Sequence, residues 1–278
     1  MLCIYSASVN VLLQSIRKQI KDIKSGKRDD SKDADHRTIF YEIINSNLPA
    51  KEKSDQRLAG DGQTVLIAGT LTTAWALCVA VYHLLSNPET LRKLKTELKA
   101  TLKGSHATIT LASLEQLPYL TGCVQECLRL SYGVSTRLQR IAPDETLIFN
   151  DGQKDWAIPP GTPVGMTSVL IHHDESIFPD SRKFLPERWV DNPRLEKYLV
   201  SFSKGTRQCV GINLAYAELY IGIARIFRTY GSSEAKFEDD AGCLELFETS
   251  SDDVEIKRDL VIPVAAATSK GVKILVKQ

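Results

Sequence analysis

The sequence predicts a mainly α-helical fold with small β-sheets. Three observations carry that expectation. Val65–Leu85 is a run of 21 residues without Asp, Glu, Lys or Arg, the length and composition of a long central helix. Residues 212–227 carry Ile212, Ala215, Tyr216, Leu219, Ile223, Ile226 and Phe227, an apolar stripe at the 3.6-residue period. Residues 146–164 instead hold short β-rich pieces broken by turn residues.

Taken in order, residues 1–24 and 37–47 read as helices separated by a charged linker. The mixed-sign run from Arg17–Lys18 to Arg28–Asp29–Asp30 reads as a solvated helix end or loop. Pro49–Gly62 is expected to be a polar loop before a central helix at about 62–85. Asn87–Pro88 ends that helix and starts the next at 88–103, with proline in the first turn. Ile109–Leu114 leads into a short helix, and a further helix is expected at about 118–131. Thr146–Phe149, Trp156–Ile158 and Thr162–Val164 are strand candidates, parted by Asn150–Asp151–Gly152 and Pro159–Pro160–Gly161. Residues 172–201, rich in Pro, Asp and Arg, read as an irregular meander. Strands are expected around Ile256, Leu260–Ile262 and Val272–Val276.

The chain has 278 residues, 43% hydrophobic and 25% charged, enough for a substantial core. Thirty-five basic against 34 acidic side chains leave a net charge of +1 with no basic stripe interleaved with aromatics, which argues against a nucleic-acid partner. Six cysteines stand at 3, 78, 123, 127, 209 and 243. They form no disulfide framework and no C-x-x-C pair, which suits a reducing compartment. Cys123 and Cys127 have no histidine to complete a zinc set and read as core residues. His172–His173 lacks a third ligand in pattern and reads as a helix or turn pair. Residues 1–14 lack a basic n-region and a cleavage site, so no signal peptide is expected there. Val65–Leu85 is long enough to span a bilayer, but its threonines, Gly69 and His83 favour a buried helix.

The most specific segment is residues 202–211, Phe-Ser-Lys-Gly-Thr-Arg-Gln-Cys-Val-Gly. It fits F-x-x-G-x-R-x-C-x-G with Phe202, Gly205, Arg207, Cys209 and Gly211 in the specified places. The amphipathic helix that follows puts Cys209 at a helix N-terminus, where backbone N–H groups and the dipole favour an anion. A cysteine in such a place is poised as a thiolate. Gly205 permits a positive φ, Gly211 removes a side chain beside the sulfur, Arg207 offers a guanidinium suited to a carboxylate, and Phe202 gives an apolar wall. A buried structural cysteine in a turn is the alternative for this segment alone.

This segment resembles the haem-binding signature of the cytochrome P450 superfamily, in which the cysteine thiolate is the axial iron ligand. Other segments follow in the family's order. Ala68-Gly69-Thr70-Leu71-Thr72-Thr73 resembles the oxygen-binding helix motif, which gives Gly69 the close approach and Thr72 the hydroxyl that assists oxygen activation. Leu71 stands where the family has an acid, which puts the usual proton-relay partner in question. Glu126-Cys127-Leu128-Arg129 is an E-x-x-R, and Phe184-Leu185-Pro186-Glu187-Arg188-Trp189 resembles the P-E-R-F/W segment. Together these imply a buried structural ion network of Glu126, Arg129 and Arg188. Arg140 resembles the arginine that binds a haem propionate, with Arg137 as its neighbour and competitor.

The resemblance implies a P450 fold whose N-terminal part lies outside these 278 residues, with 1–278 as the C-terminal portion of a single domain. The flavour is fungal, from Phe-Leu-Pro-Glu-Arg-Trp and Leu246-Phe247-Glu248-Thr249. It implies haem b with iron on Cys209, dioxygen, an NADPH–cytochrome P450 reductase and a small apolar organic substrate facing Ile67, Ala68 and Gly133-Val134-Ser135. For full-length relatives it implies an endoplasmic reticulum membrane and its cytosolic face. Two other functions stay open: a haem-thiolate isomerase or dehydratase, motivated by Leu71, and an inactive fragment without haem.

Overall fold

A computed structural model describes residues 2–28, 37–102 and 110–278, and of residues 2–10 only the helical backbone. Asp29, Asp30 and Ile109, and the side chain of Cys3, lie outside the described residues. The chain divides into two compact units, Met1–Leu71 and Thr72–Gln278.

The first unit contains α1 (Leu2–Lys24), α2 (Ile39–Asn45) and the start of α3 (Asp55–Ser86). Ile16, Ile20 and Ile23 lie on one face of α1 and bury with Phe40, Leu58 and Ala59. Gly62 belongs to the same contact, since a Cβ there would sit 2.6 Å from the Phe40 ring. Residues 55–62 are helical and not the expected loop. The signal that decides this is local: Ser54 Oγ accepts the Arg57 N–H (3.3 Å) and Arg57 pairs with Asp61 one turn on (3.1 Å).

α3 is long and apolar enough to cross a membrane by length and composition. In this chain its two halves differ. Val65, Leu66 and Ile67 are exposed, whereas Val79, Ala80 and Leu84 are fully buried. The expectation of a helix buried along its whole length therefore holds only for the second half. In the first unit α1 and α2 cover only the face that carries Leu58, Ala59 and Gly62.

The second unit packs α4 (Pro88–Thr101), α6 (Pro118–Ser131) and α9 (Ile212–Thr229) with residues 76–84 of α3. Leu91, Leu94 and Leu98 form the buried stripe of α4, and Leu219, Ile223 and Phe227 that of α9. Asn87 caps α4 by accepting the Thr90 N–H at 3.2 Å, with Pro88 behind it. α5 (Leu111–Leu114) is a single turn capped by Thr110. The first turn of α6 is satisfied from a distance: the Glu97 carboxylate of α4 accepts the N–H groups of Tyr119 (2.9 Å) and Leu120 (2.8 Å).

The sheets are small. β1 (Leu138–Ile141) pairs antiparallel with β4 (Pro163–Met166), Arg140 opposite Val164. β2 (Leu147–Asn150) and β3 (Asp155–Ile158) form a hairpin with Phe149 opposite Trp156. β5 (Tyr230–Gly231), β6 (Gly242–Leu246) and β9 (Ile274–Lys277) make a mixed sheet in the order 5-6-9. β7 (Arg258–Leu260) and β8 (Ile262–Val264) form the last hairpin. Residues around Ile256 precede β7 and are not a strand. β6 was not expected, its five residues being too short to separate from a turn by alternation. The expected irregular meander contains α8 (Glu187–Asp191) and a 3₁₀ turn at Pro193–Tyr198, and α7 (Ser168–His172) ends at its start. Each is a single turn or two, below the length at which periodicity speaks.

Candidate functional site

Cys209 lies in a loop fixed at both ends. Its N–H donates to Phe202 O (2.9 Å), which closes residues 202–209 into one turn. Gly205 adopts φ +79 with open space around it, so its backbone conformation and not crowding requires glycine. Residues Gly205–Arg207 form a 3₁₀ turn, and the Gln208 N–H donates back to Gly205 O (3.0 Å). Gly211 is the N-cap of α9, and a Cβ there would lie 3.8 Å from Cys209 Sγ. Phe202 packs on Tyr216 of α9 with ring centroids 5.3 Å apart, anchoring the loop to the helix. Cys209 itself is exposed, and the Val210 side chain beside it is 98% exposed.

One arginine reaches this loop from outside and a second lies within it. From β1, the Arg140 guanidinium donates to Ser203 Oγ (3.4 Å) and to Gln139 O (2.9 Å), which brings it to the root of the cysteine loop. Arg207 belongs to the loop itself. Both are exposed, and neither makes an ion pair among the described residues. Gly69 and Thr72 lie on α3; Gly69 is exposed with nothing within 4 Å of a Cβ, and Thr72 is half-buried. An accessible soft sulfur donor, exposed apolar Val210 and Leu214, and two guanidiniums form a donor set that fits a haem with its iron and two carboxylates.

The second unit also holds a buried ion network. Arg129 makes a bidentate pair with Glu126, both contacts 2.8 Å, and both side chains are fully buried. Arg188 Nε reaches Glu126 Oε1 at 3.2 Å. The Leu185 N–H (2.9 Å) and Trp189 Nε1 (2.8 Å) also donate to Glu126. Arg129 spends its remaining donors on the carbonyls of His172 (2.7 Å), Ser181 (2.6 Å) and Lys183 (3.1 Å). Glu126 thus faces two guanidiniums, and the remaining donors of Arg129 and Arg188 end on backbone carbonyls, so every ion in the network is paired or hydrogen-bonded, the condition under which buried ions are tolerated.

The structure also gives bracing partners to His172 and His173, expected as a helix or turn pair, and to the turn Gly133–Ser135, expected beside a substrate. His172 is fully buried between Arg129 O (2.8 Å) and the Val200 N–H (3.0 Å), and burial lowers its pKa to about 3. His173 joins Tyr132 OH (2.7 Å), with its pKa lowered to about 4 by burial. The turn Gly133–Ser135 is held by Ser168 Oγ on Val134 O (3.1 Å), by the Ser135 N–H on Val261 O (3.0 Å) and by Ser135 Oγ on Asp259 (2.8 Å). The only available signal was polarity in an otherwise apolar setting, because most partners are backbone groups tens of residues away.

The family model for cytochrome P450 matches residues 4–247. The chain is 54% identical over 267 residues to the cytochrome P450 monooxygenase tpcC of Cochliobolus heterostrophus, covering 95% of this chain and 51% of that protein. It is 50% identical over 273 residues to the cytochrome P450 monooxygenase astB of Talaromyces wortmannii, covering 95% and 55%. A tryptophan 6-hydroxylase, fscE of Fusarium equiseti, is 41% identical over 93% of this chain and 48% of its own length. The crystal structure of a cytochrome P450 (CYP102L1) superposes with a TM-score of 0.70 at 20% identity, over 95% of this chain and 55% of that one, a likeness of fold. The chain thus spans about half the length of the curated relatives it matches. With the family model matched over most of its residues and the P450 fold around an exposed cysteine loop, the chain belongs to the cytochrome P450 family.

Proposed function

We propose that the chain carries the cysteine-ligating portion of a haem-thiolate monooxygenase, with residues 1–278 forming the C-terminal part of one P450 domain. The observation that carries this is Cys209, exposed in a loop closed by Phe202 O, with Arg140 and Arg207 beside it. Cys209 would ligate the iron, and Arg140 and Arg207 would hold the propionates. A haem bound there supplies dioxygen activation: one oxygen atom enters a small apolar organic substrate, the other leaves as water, and NADPH provides two electrons through a reductase.

The remaining roles belong to side chains. Gly205 and Gly211 keep the loop low around the sulfur, and Phe202 holds the Cys209 amide in place. Gly69 leaves the α3 surface open to small molecules. The Thr72 hydroxyl accepts and passes a proton near the oxygen, and Leu71 leaves that relay to hydroxyl and water without an adjacent carboxylate. Glu126, Arg129 and Arg188 brace the fold and touch no reactant. Exposed Lys204, on the cysteine loop and outside the propionate set, suits docking of an acidic face of the reductase. The fungal relatives named as monooxygenases support this reading over an isomerase or dehydratase. For full-length relatives the family resemblance implies the endoplasmic reticulum membrane, with the catalytic part on its cytosolic face.

The test is spectroscopic. Haem-loaded protein containing this sequence, reduced and exposed to carbon monoxide, is expected to show the red-shifted Soret band of thiolate ligation, and Cys209→Ala is expected to lose it. A band retained in Cys209→Ala would overturn the assignment.

A further inference from the structure

We infer that His172 is a positioning residue for Cys209, acting through the peptide 200–202 that leads into the cysteine loop. This rests on the reading of Cys209 as the haem ligand. The backbone N–H of Val200 can only donate, so His172 Nε2 accepts (3.0 Å). The neutral ring therefore carries its proton on Nδ1 and donates it to Arg129 O (2.8 Å), a group that can only accept. Both ring nitrogens are thus committed to backbone groups of two different segments, the end of α6 and the entry to the loop. Arg129 returns a bond from its guanidinium to His172 O (2.7 Å), so the clasp closes on both sides.

From Val200 the connection to the sulfur is short. The Ser203 N–H donates to Val200 O and the Cys209 N–H to Phe202 O, both 2.9 Å. Ser201 Oγ ties the same peptide to Leu128 O on α6 (2.7 Å). There is no slack between the two segments, because a Cβ on Gly133 would lie 2.3 Å from Ser201 O. Tyr132 stacks on the His172 ring and Phe178 meets it edge-on, each with centroids 6.3 Å away. A side chain that merely filled this space would need no acceptor at Nε2. Burial beside the Arg129 guanidinium keeps the imidazole neutral at ordinary pH. A ligand loop must be held to within a fraction of an ångström, and its supporting hydrogen bonds set that tolerance.

Two substitutions separate positioning from packing. His172→Asn keeps a donor at the place of Nδ1 but cannot reach Val200. His172→Gln carries an amide oxygen toward the place of Nε2 and can accept from Val200. In haem-free protein, amide hydrogen exchange of peptide 200–209 is expected to rise tenfold or more in His172→Asn and to stay near wild type in His172→Gln, with α4 unchanged in both. In haem-loaded protein, His172→Asn is expected to lower the share of the thiolate-type carbon monoxide band, and His172→Gln to restore it. Equal exchange at 200–209 in wild type, His172→Asn and His172→Gln would overturn the inference. If neither variant folds, exchange of the Val200 amide itself in the wild type decides, since His172 Nε2 is its acceptor; strong protection supports the clasp, and exchange at the rate of a free amide refutes it. Wild-type protein with no thiolate band, but with fast exchange in His172→Asn, would sink the haem assignment and leave the clasp standing.

Discussion

Glu126 accepts hydrogen bonds from Arg129, Arg188, Leu185 and Trp189 at zero exposure. Replacing it by glutamine keeps the size and removes the charge, which leaves Arg129 buried without its counter-ion. The expected loss is about 3–5 kcal/mol, read as a lower urea midpoint at unchanged slope; a loss under about 1 kcal/mol would contradict the network's role. Part of this was legible in the sequence. Glu126 and Arg129 share a helix face at i, i+3, and Arg188 sits in a recognisable motif. Trp189 and His172 were not legible in that role, because their bonds run to groups 63 and 28–43 residues away. Lys95 shows the same limit. In a helix rich in charges it reads as solvated, yet its position next to Leu91, Leu94 and Leu98 buries it. There it donates to Asp240 Oδ1 (2.8 Å), Phe227 O (2.8 Å) and Tyr230 O (3.0 Å).

At the scale of elements, helix ends explain both what the sequence predicted well and what it did not. α4, α6 and α9 were expected within two residues of their observed bounds, because Asn87, Pro88, Pro118 and the glycine before Ile212 mark their starts. α3 starts seven residues before its expected beginning, because Ser54 caps a polar first turn that resembles a loop in composition. The end of α9 is held by Lys95 and by a crowded turn. A Cβ on Gly231 would lie 2.4 Å from the Asp240 carboxylate and 2.5 Å from Ala235 O. Gly231→Ala is therefore expected to push Asp240 away from Lys95 and cost about 1–3 kcal/mol. Thermal melts measure that loss, and an unchanged melting temperature would contradict it.

For the molecule as a whole, one buried imidazole (His172) and two half-buried ones (His83 and His173) shape the response to acid. Burial lowers the pKa of His83 to about 4, of His172 to about 3 and of His173 to about 4. The unfolded chain binds those protons near pH 6.5, so between that pH and the folded values the unfolded state holds more protons. Stability is present in full above about pH 6.5 and falls as the pH drops toward 4, by up to about 1.4 kcal/mol per pH unit for fully buried His172 and by less for half-buried His83 and His173, which solvent screens. Denaturant midpoints at pH 7 and pH 5 test this; equal midpoints would show that these rings are not held neutral in the fold. The fold class and the cysteine loop were legible because they rest on local period and motif. The exposure of Val65, Leu66 and Ile67 was not, since hydropathy alone does not say which partner covers an apolar helix face.

The sulfur of Cys209 as the ligand to iron is the central claim, and iron-edge X-ray absorption on haem-loaded protein tests it most directly. One sulfur neighbour on the iron is expected in the wild type and none in Cys209→Ala. A first shell of nitrogen and oxygen only in the wild type, or a sulfur that survives Cys209→Ala, would contradict it.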